Sequence, residues 1–152
     1  MNDPIRTIII EDNSNYFNAL QKALETFDGV ECVGGYATFE NFREASPDAP
    51  DCILLDINLP GVSGLNALPD IKQMMPHTEI IMLTQNDNYL NVLTAIQRGA
   101  SGYIVKGGSI NAIHQAIQDV HTGAAVIDPR LSRIVLTTLA GSPSVTEEEQ
   151  LS

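Results

Sequence analysis

The sequence has no tryptophan, only two cysteines and no long apolar run. Cys32 and Cys52 lie in separate strand-like runs, without a CxxC pair or metal-ligand spacing, which favours reduced core thiols over a disulfide or metal site. No apolar stretch approaches the roughly 18 residues that a membrane span needs. The start, MNDPIRTIII, lacks the basic region and long apolar stretch of a signal peptide. These absences favour a soluble, cytoplasmic protein that makes no contact with membranes.

Basic residues are also scarce. Eight Lys and Arg against 19 Asp and Glu give a formal net charge of −11. This balance argues against broad binding of nucleic-acid phosphates. A length of 152 residues with 43% hydrophobic residues is enough for one good core. The composition therefore predicts one domain followed by a tail.

Apolar runs alternate with helical patterns along the chain, and polar or glycine-rich turns separate them. The helices have candidate N-caps at Asn13 or Ser14, at Thr38, at Asp87 or Asn88, and at Ser109. Pro69 should kink the third helix or delay its start. Mostly apolar strands that alternate with helices predict an α/β fold with a doubly wound, five-stranded parallel sheet in the flavodoxin-like order 2-1-3-4-5, helices on both faces. The five strand-like runs are RTIIIED, VECVGGY, CILLD, TEIIMLT and GYIVK.

Polar residues end four of these strands, at the edge where such sheets bind ligands. Glu11 and Asp12 end the first strand and Asp56 the third, and strands one and three are neighbours in the predicted order. Three carboxylates that meet cannot all ionise comfortably without a cation. Hard oxygen ligands favour Mg²⁺, which commonly accompanies a phosphate. The sequence therefore predicts a magnesium site.

The other two strand ends supply groups that can hold a phosphoryl group. Thr84 ends the fourth strand with a hydroxyl donor, and Lys106 ends the fifth with a compact positive charge. Asp56 beside Mg²⁺ is then a plausible nucleophile. Each residue alone has an ordinary explanation, as a turn former, a strand-end residue or a solvated charge. The complementary chemistry of the whole set favours phosphoryl transfer.

Residues 5 to 123 resemble the response-regulator receiver domain of two-component signalling. The resemblance implies that Asp56 is the phosphoacceptor and that Asp12, Asp56 and the backbone carbonyl of Asn58 bind Mg²⁺. It also implies that Glu11 acts mainly through a metal-bound water. The motifs that carry the likeness are the acidic pair Glu11-Asp12, the stretch DINLPG, Thr84 after IIML, and GYIVK.

The same resemblance assigns the remaining site residues. Lys106 would pair with the phosphoryl oxygens, and Thr84 would donate a hydrogen bond to one of them. Tyr103 matches the aromatic switch of the family, although a half-buried strand tyrosine is the alternative. Gly107 follows Lys106 where many receivers have proline.

The resemblance further implies a signalling protein, not an enzyme, although it can catalyse its own phosphorylation and dephosphorylation. The expected partner is a sensor histidine kinase or a phosphotransfer protein. Phosphorylation would change the surface of the fourth helix, fifth strand and fifth helix, a possible homodimer contact.

The tail, residues 124–152, reads as an extension of a receiver domain over residues 1–123. Asp128 and Pro129 are a good cap and first-turn pair for a helix over about 129–140, and AGSPSVTEEEQ reads as a polar linker. This arrangement resembles the NarL/FixJ subfamily, in which a LuxR-type helix-turn-helix domain follows. That domain is absent here, so we expect no DNA binding by this fragment and control of transcription only in a full-length form.

Two rival functions remain open. A phosphatase of the haloacid-dehalogenase type also uses an aspartate nucleophile and Mg²⁺, but it normally needs an acid two residues after the nucleophile, where this chain has Asn58. The other rival is a phosphorylation-independent protein-interaction module on the same fold. Sustained phosphate-ester turnover would indicate the first, and full target binding by an Asp56→Asn variant the second.

Overall fold

The computed structural model describes residues 3–85 and 89–140. Strands and helices alternate along this part of the chain. The strands are β1 (Ile5–Ile10), β2 (Val30–Tyr36), β3 (Cys52–Asp56), β4 (Glu79–Thr84), β5 (Gly102–Val105) and β6 (Val126–Ile127). The helices are α1 (Ser14–Leu24), α2 (Phe39–Ala45), α3 (Gly64–Met74), α4 (Tyr89–Gln97), α5 (Ile110–His121) and α6 (Pro129–Ala140).

All strands are parallel and form one sheet in the order β2-β1-β3-β4-β5-β6. The flavodoxin-like order of the first five is confirmed, but the predicted count of five strands is wrong. The sixth strand is only two residues long, which is too short to show an alternating pattern in the sequence. It is held at the sheet edge by backbone hydrogen bonds from Val126 N–H to Ser101 O (2.9 Å) and from Asp128 N–H to Tyr103 O (3.0 Å).

The two faces of the sheet are covered by different helices. One core cluster joins the strands to α2, α3 and α4, and the other joins them to α1 and α5. Alternate residues of β1 show this division, because Ile8 and Ile10 belong to the first cluster and Ile9 to the second. Leu131 of α6 is fully buried in the first cluster, so the C-terminal helix packs on the same face as α4.

Helix starts follow the predicted caps wherever the structure describes them. The side chains of Asn13, Thr38 and Ser109 each accept a hydrogen bond from a backbone N–H in the first turn of α1, α2 and α5. The predicted cap of α4, Asp87 or Asn88, lies outside the described residues, as does the polar linker after residue 140. No helix among the described residues is long and apolar enough to cross a membrane.

Pro69 lies inside α3 without interrupting it. The helix begins at Gly64 and continues to Met74, so of the two expected effects, a kink or a delayed start, the delayed start does not occur. Proline has no N–H, which leaves the carbonyl of Leu65 without its usual intrahelical donor. The guanidinium of Arg98, just after α4, donates to that carbonyl (2.7 Å) and to Asn66 Oδ1 (3.1 Å). A side chain from just beyond the next helix therefore replaces the hydrogen bond that proline removes.

Candidate functional site

The carboxyl ends of β1, β3 and β5 converge on a cleft of about 240 Å³. The parallel register brings them level, since Ile10 pairs with Leu55 and Asp56 with Leu83. The cleft contains most of the predicted site residues. Its lining comprises Glu11, Asp12, Asn13, Tyr16, Asp56, Asn58, Gln85 and Lys106.

Three carboxylates meet in this cleft. One oxygen from each of Glu11, Asp12 and Asp56 lies within 4.8 Å of the others. Glu11 and Asp56 are each only 3% exposed, whereas Asp12 is exposed to solvent. Desolvation by burial raises the pKa of Glu11, and the nearby Asp56 carboxylate adds to this effect, against opposing contributions from Lys106 and Asn13. A cluster of oxygen donors with this electrostatic strain fits a hard divalent cation such as Mg²⁺.

Lys106 is the cation among the described residues that line the cleft. Its Nζ lies 2.5 Å from Glu11 Oε1 and 3.4 Å from Asp56 Oδ1. The sequence placed Glu11 only as a water-mediated metal ligand, so its direct ion pair with Lys106 was missed. The lysine is held by β5, which ends at Val105, and by a hydrogen bond from its own N–H to Thr84 O (2.6 Å). The Lys106–Gly107 peptide is trans, and Gly107 takes a φ of +92° that suits glycine.

The loop after Asp56 folds back tightly around that residue. Asn58 N–H donates to Asp56 Oδ1 (3.2 Å), and Gly64 N–H donates to Ile57 O (2.8 Å). A Cβ at position 64 would lie 2.1 Å from the carbonyl oxygen of Asp56, so only glycine allows α3 to start this close. The stretch that resembles the family motif therefore fixes both the carboxylate and the backbone of Asn58.

Thr84 and Tyr103 are buried in β4 and β5 instead of lining the cleft, with exposures of 0% and 1%. Burial raises the pKa of the Tyr103 phenol to about 12, against a smaller opposing effect of the Thr84 hydroxyl. The Thr84 hydroxyl thus lies near the Tyr103 phenol, and the tyrosine ring belongs to the core cluster that contains α4.

Tyr16 and Gln85 line the cleft although sequence reasoning did not select them. Tyr16 belongs to the first turn of α1, and its ring lies 4.6 Å from Lys106 Nζ, measured to the ring centroid. Its position four residues after Asp12, on the turn that follows the acidic pair, was the available signal. Helical periodicity alone assigns such a ring to the core.

Comparisons with known proteins identify a family. The family model described as "Response regulator receiver domain" matches residues 7–118. The chain is 31% identical to the transcriptional regulatory protein MctR of Rhizobium johnstonii, over 78% of this chain and 56% of the relative. It is 24% identical to the nitrate/nitrite response regulator protein NarL of Escherichia coli K12, over 97% of this chain and 68% of the relative.

Solved structures show the same fold. A two-component response regulator of the LuxR family from Aurantimonas sp. superposes with a TM-score of 0.81 at 23% identity, covering 91% of this chain and 99% of that one. The chain thus spans little more than half of MctR but nearly all of this structure. The family match over most of the chain and the strand-end acids, threonine and lysine lead to one conclusion: the protein belongs to the response regulator receiver domain family of two-component signalling.

Proposed function

We propose that this chain accepts a phosphoryl group on Asp56 from a phosphohistidine of a sensor histidine kinase or phosphotransfer protein. The observation that carries the proposal is the setting of the Asp56 carboxylate. It ends a fully buried strand, opens into a cleft, and has a lysine ammonium at 3.4 Å and two further carboxylates beside it. Burial and repulsion between carboxylates are costly unless cations offset them, and the same cations would neutralise the charge of an incoming phosphoryl group.

The transfer is a nucleophilic displacement at phosphorus. An oxygen of the Asp56 carboxylate forms the new P–O bond while the P–N bond to the donor histidine breaks. The histidine nitrogen keeps the electron pair of that bond and takes up a proton, and an acyl phosphate remains on Asp56. Such a transfer relies on positioning and charge neutralisation more than on covalent chemistry by the protein.

Asp12, Asp56 and the backbone carbonyl of Asn58 are the groups that would hold Mg²⁺, with Glu11 acting through a bound water. When bound, Mg²⁺ would neutralise charge on the carboxylates and on the transferring phosphoryl oxygens. The bond from Asn58 N–H to Asp56 Oδ1 (3.2 Å) orients both the carboxylate and that loop. Asp12 is exposed, so its oxygen is accessible at the mouth of the cleft.

Lys106 and Thr84 would bind the phosphoryl oxygens after transfer. Lys106 already lies between Glu11 and Asp56, so a small movement of its ammonium exchanges the Glu11 oxygen for one on phosphorus. Thr84 is linked to Tyr103, so a shift of the threonine toward the phosphoryl group would change the surroundings of the tyrosine ring. This coupling makes Thr84 and Tyr103 the switch.

The output surface would comprise α4, β5 and α5, together with α6. Tyr103 lies in the core cluster that also contains Val92 of α4 and Leu131 of α6, and α6 contacts α4. A change at Tyr103 can therefore reach the C-terminal helix and alter a homodimer or effector contact. We assign residues 1–123 to the receiver and residues 124–152 to an extension that carries the signal onward.

Control of transcription is the output that the relatives suggest. MctR is described as a transcriptional regulatory protein, and NarL as a nitrate/nitrite response regulator. This chain spans 56% and 68% of their lengths. DNA binding would belong to a helix-turn-helix domain beyond this chain, consistent with the net charge of −11 on the chain itself.

The test is intact-mass measurement after incubation with acetyl phosphate, with and without Mg²⁺. The wild type should gain one phosphoryl group only when Mg²⁺ is present, and Asp56→Asn should gain none. The matched control is Asp51→Asn, which changes the aspartate directly before the start of β3, at the other end of the strand from Asp56. It should behave as the wild type. If neither acetyl phosphate nor a phosphorylated histidine kinase modifies the wild type, the phosphoacceptor assignment is wrong and a phosphorylation-independent interaction module takes its place.

A further inference from the structure

The Lys106 ammonium is contacted by Glu11 and by Tyr16, and these two residues are themselves connected through Asn13. Its Nζ pairs with Glu11 Oε1 (2.5 Å), and the other carboxylate oxygen of Glu11 accepts a hydrogen bond from Asn13 N–H (3.0 Å). The side chain of Asn13 caps α1 by accepting from Tyr16 N–H (3.0 Å), and the Tyr16 ring returns to Lys106 at 4.6 Å. The cap that starts the first helix therefore also places an aromatic ring against the ammonium.

The aromatic ring of Tyr16 is fixed by packing on the side that faces away from the cleft. Tyr16 is partly buried and packs against the core cluster of α1 and α5, while its ring forms part of the cleft wall. A partly desolvated ammonium near an aromatic face is attracted by the ring quadrupole. The contact thus combines a fixed ring with a lysine whose four-carbon stem is flexible.

A ring suits this lysine better than a third carboxylate would. Lys106 carries three N–H donors, and its oxygen partners must change when a phosphoryl group arrives. A cation–π contact restrains the ammonium without using a hydrogen-bond donor, so the donors remain free to move from Glu11 to phosphoryl oxygens. The neutral ring also adds no negative charge to a cleft that already contains three carboxylates.

We propose, on the basis of the phosphoacceptor function above, that Tyr16 is a positioning residue for phosphoryl transfer. Its ring holds the Lys106 ammonium in the cleft, within reach of the phosphoryl group on Asp56. The effect depends on the ring and not on the phenol hydroxyl. Loss of the ring should slow phosphorylation roughly three- to tenfold, the range that follows from a cation–π contact at a partly exposed site.

The experiment compares Tyr16→Phe, which keeps the ring, with Tyr16→Leu, which removes it. The full chain is incubated with acetyl phosphate and Mg²⁺, and the initial phosphorylation rate is measured by intact mass. In parallel, the Hε–Cε resonances of Lys106 are recorded by NMR without any phosphodonor, because a nearby ring shifts them upfield. Phe27→Leu is the matched control, since it removes an aromatic ring that stacks on His114, away from the cleft.

We expect Tyr16→Phe and Phe27→Leu to phosphorylate within about twofold of the wild type, and Tyr16→Leu to be slowed as stated. The Lys106 resonances should move downfield in Tyr16→Leu alone. Unchanged resonances, an unchanged or faster rate in Tyr16→Leu, or equal slowing in Tyr16→Phe would each overturn the proposal. A wild type that takes up no phosphoryl group contradicts the proposed function instead, and the Lys106 resonances then decide separately whether the ring holds the ammonium.

Discussion

At the scale of single residues, the site depends on how one lysine is shared between two carboxylates. Lys106 Nζ is closer to Glu11 than to Asp56, by the difference between 2.5 and 3.4 Å. Because desolvation raises the pKa of Glu11, that carboxylate depends on the ammonium for its charge to be tolerated. A divalent cation beside Glu11 would lessen this dependence and free the lysine for Asp56. Binding of such a cation and movement of the lysine would therefore be linked through Glu11.

Tyr103 gives a pH dependence whose sign can be worked out. Its pKa is raised from 10.0 to about 12 in the folded chain, because the phenolate is disfavoured in the core. The folded state therefore holds this proton more tightly than the unfolded state does. The resulting stability is fully present below pH 10 and is lost as the pH rises toward 12.

Tyr103→Phe should abolish the part of the loss of folding stability at high pH that comes from the Tyr103 phenol. Between pH 9 and 12 the free energy of unfolding of the wild type should fall by roughly 2 to 3 kcal/mol more than that of the variant. Urea unfolding at a series of pH values, followed by circular dichroism, measures the difference. Equal pH profiles for the two chains would show that the phenol ionises without cost in the folded state, contrary to its burial.

Single residues also mark where sequence reasoning succeeds and where it stops. Glu11, Asp56 and Lys106 could be placed together because strand ends of a parallel sheet share one edge. Tyr16 could not, because a ring in the first turn of an amphipathic helix looks like an ordinary core residue. Its contact with Lys106 depends on the rotation of α1, which the Asn13 cap sets in three dimensions.

At the scale of elements, α3 is connected to the end of α4 by a side-chain hydrogen bond that replaces a missing backbone hydrogen bond. Pro69 removes the donor for Leu65 O, and Arg98 supplies one from beyond the end of α4. A helix that would otherwise contain an unsatisfied carbonyl thus gains a tether to its neighbour. Since α4 belongs to the proposed output surface, the tether helps to set the position of that helix.

A double-mutant cycle tests whether the Arg98 hydrogen bond compensates for Pro69. Arg98→Ala should lower the free energy of unfolding by roughly 0.5 to 1.5 kcal/mol when residue 69 is proline. In a Pro69→Ala background the cost should be smaller, because the new N–H at position 69 can bond Leu65 O within the helix. Urea unfolding of the four chains gives the coupling energy. The control is Lys22→Ala, an exposed cation in the last turn of α1, whose cost should be the same in both backgrounds.

Regular elements could be predicted better than the edge of the sheet. Runs such as CILLD and the 3.6-residue pattern of α5 carry strong periodic signals, and both appear as predicted. Strand β6 forms because it pairs with β5, and such a long-range contact cannot be predicted from the two residues of the strand alone. Likewise, full burial of Leu131 depends on α6 folding back over α4.

At the scale of the whole molecule, the fold brings negative charges together at the cleft, and their repulsion opposes folding. The chain has a net charge of −11, and the sheet brings three of its carboxylates within 4.8 Å of one another. Self-repulsion of this kind destabilises the folded state, because unfolding separates the charges. A cation that binds only the folded cluster should reverse the effect by mass action. The folded state should therefore be markedly more stable with Mg²⁺ than without it.

Thermal unfolding measures this gain directly. At Mg²⁺ concentrations a hundredfold above the dissociation constant, the stabilisation should be about 2.7 kcal/mol, with NaCl of equal ionic strength as the solvent control. Asp12→Asn should lose most of the gain without lowering the metal-free Tm, because it removes both a ligand and a repulsive charge. Asp48→Asn, an exposed acid in the loop before β3, should keep the full gain. An equal rise in Tm for all three chains would mean that Mg²⁺ only screens the surface, and the cluster would then have no role in binding metal.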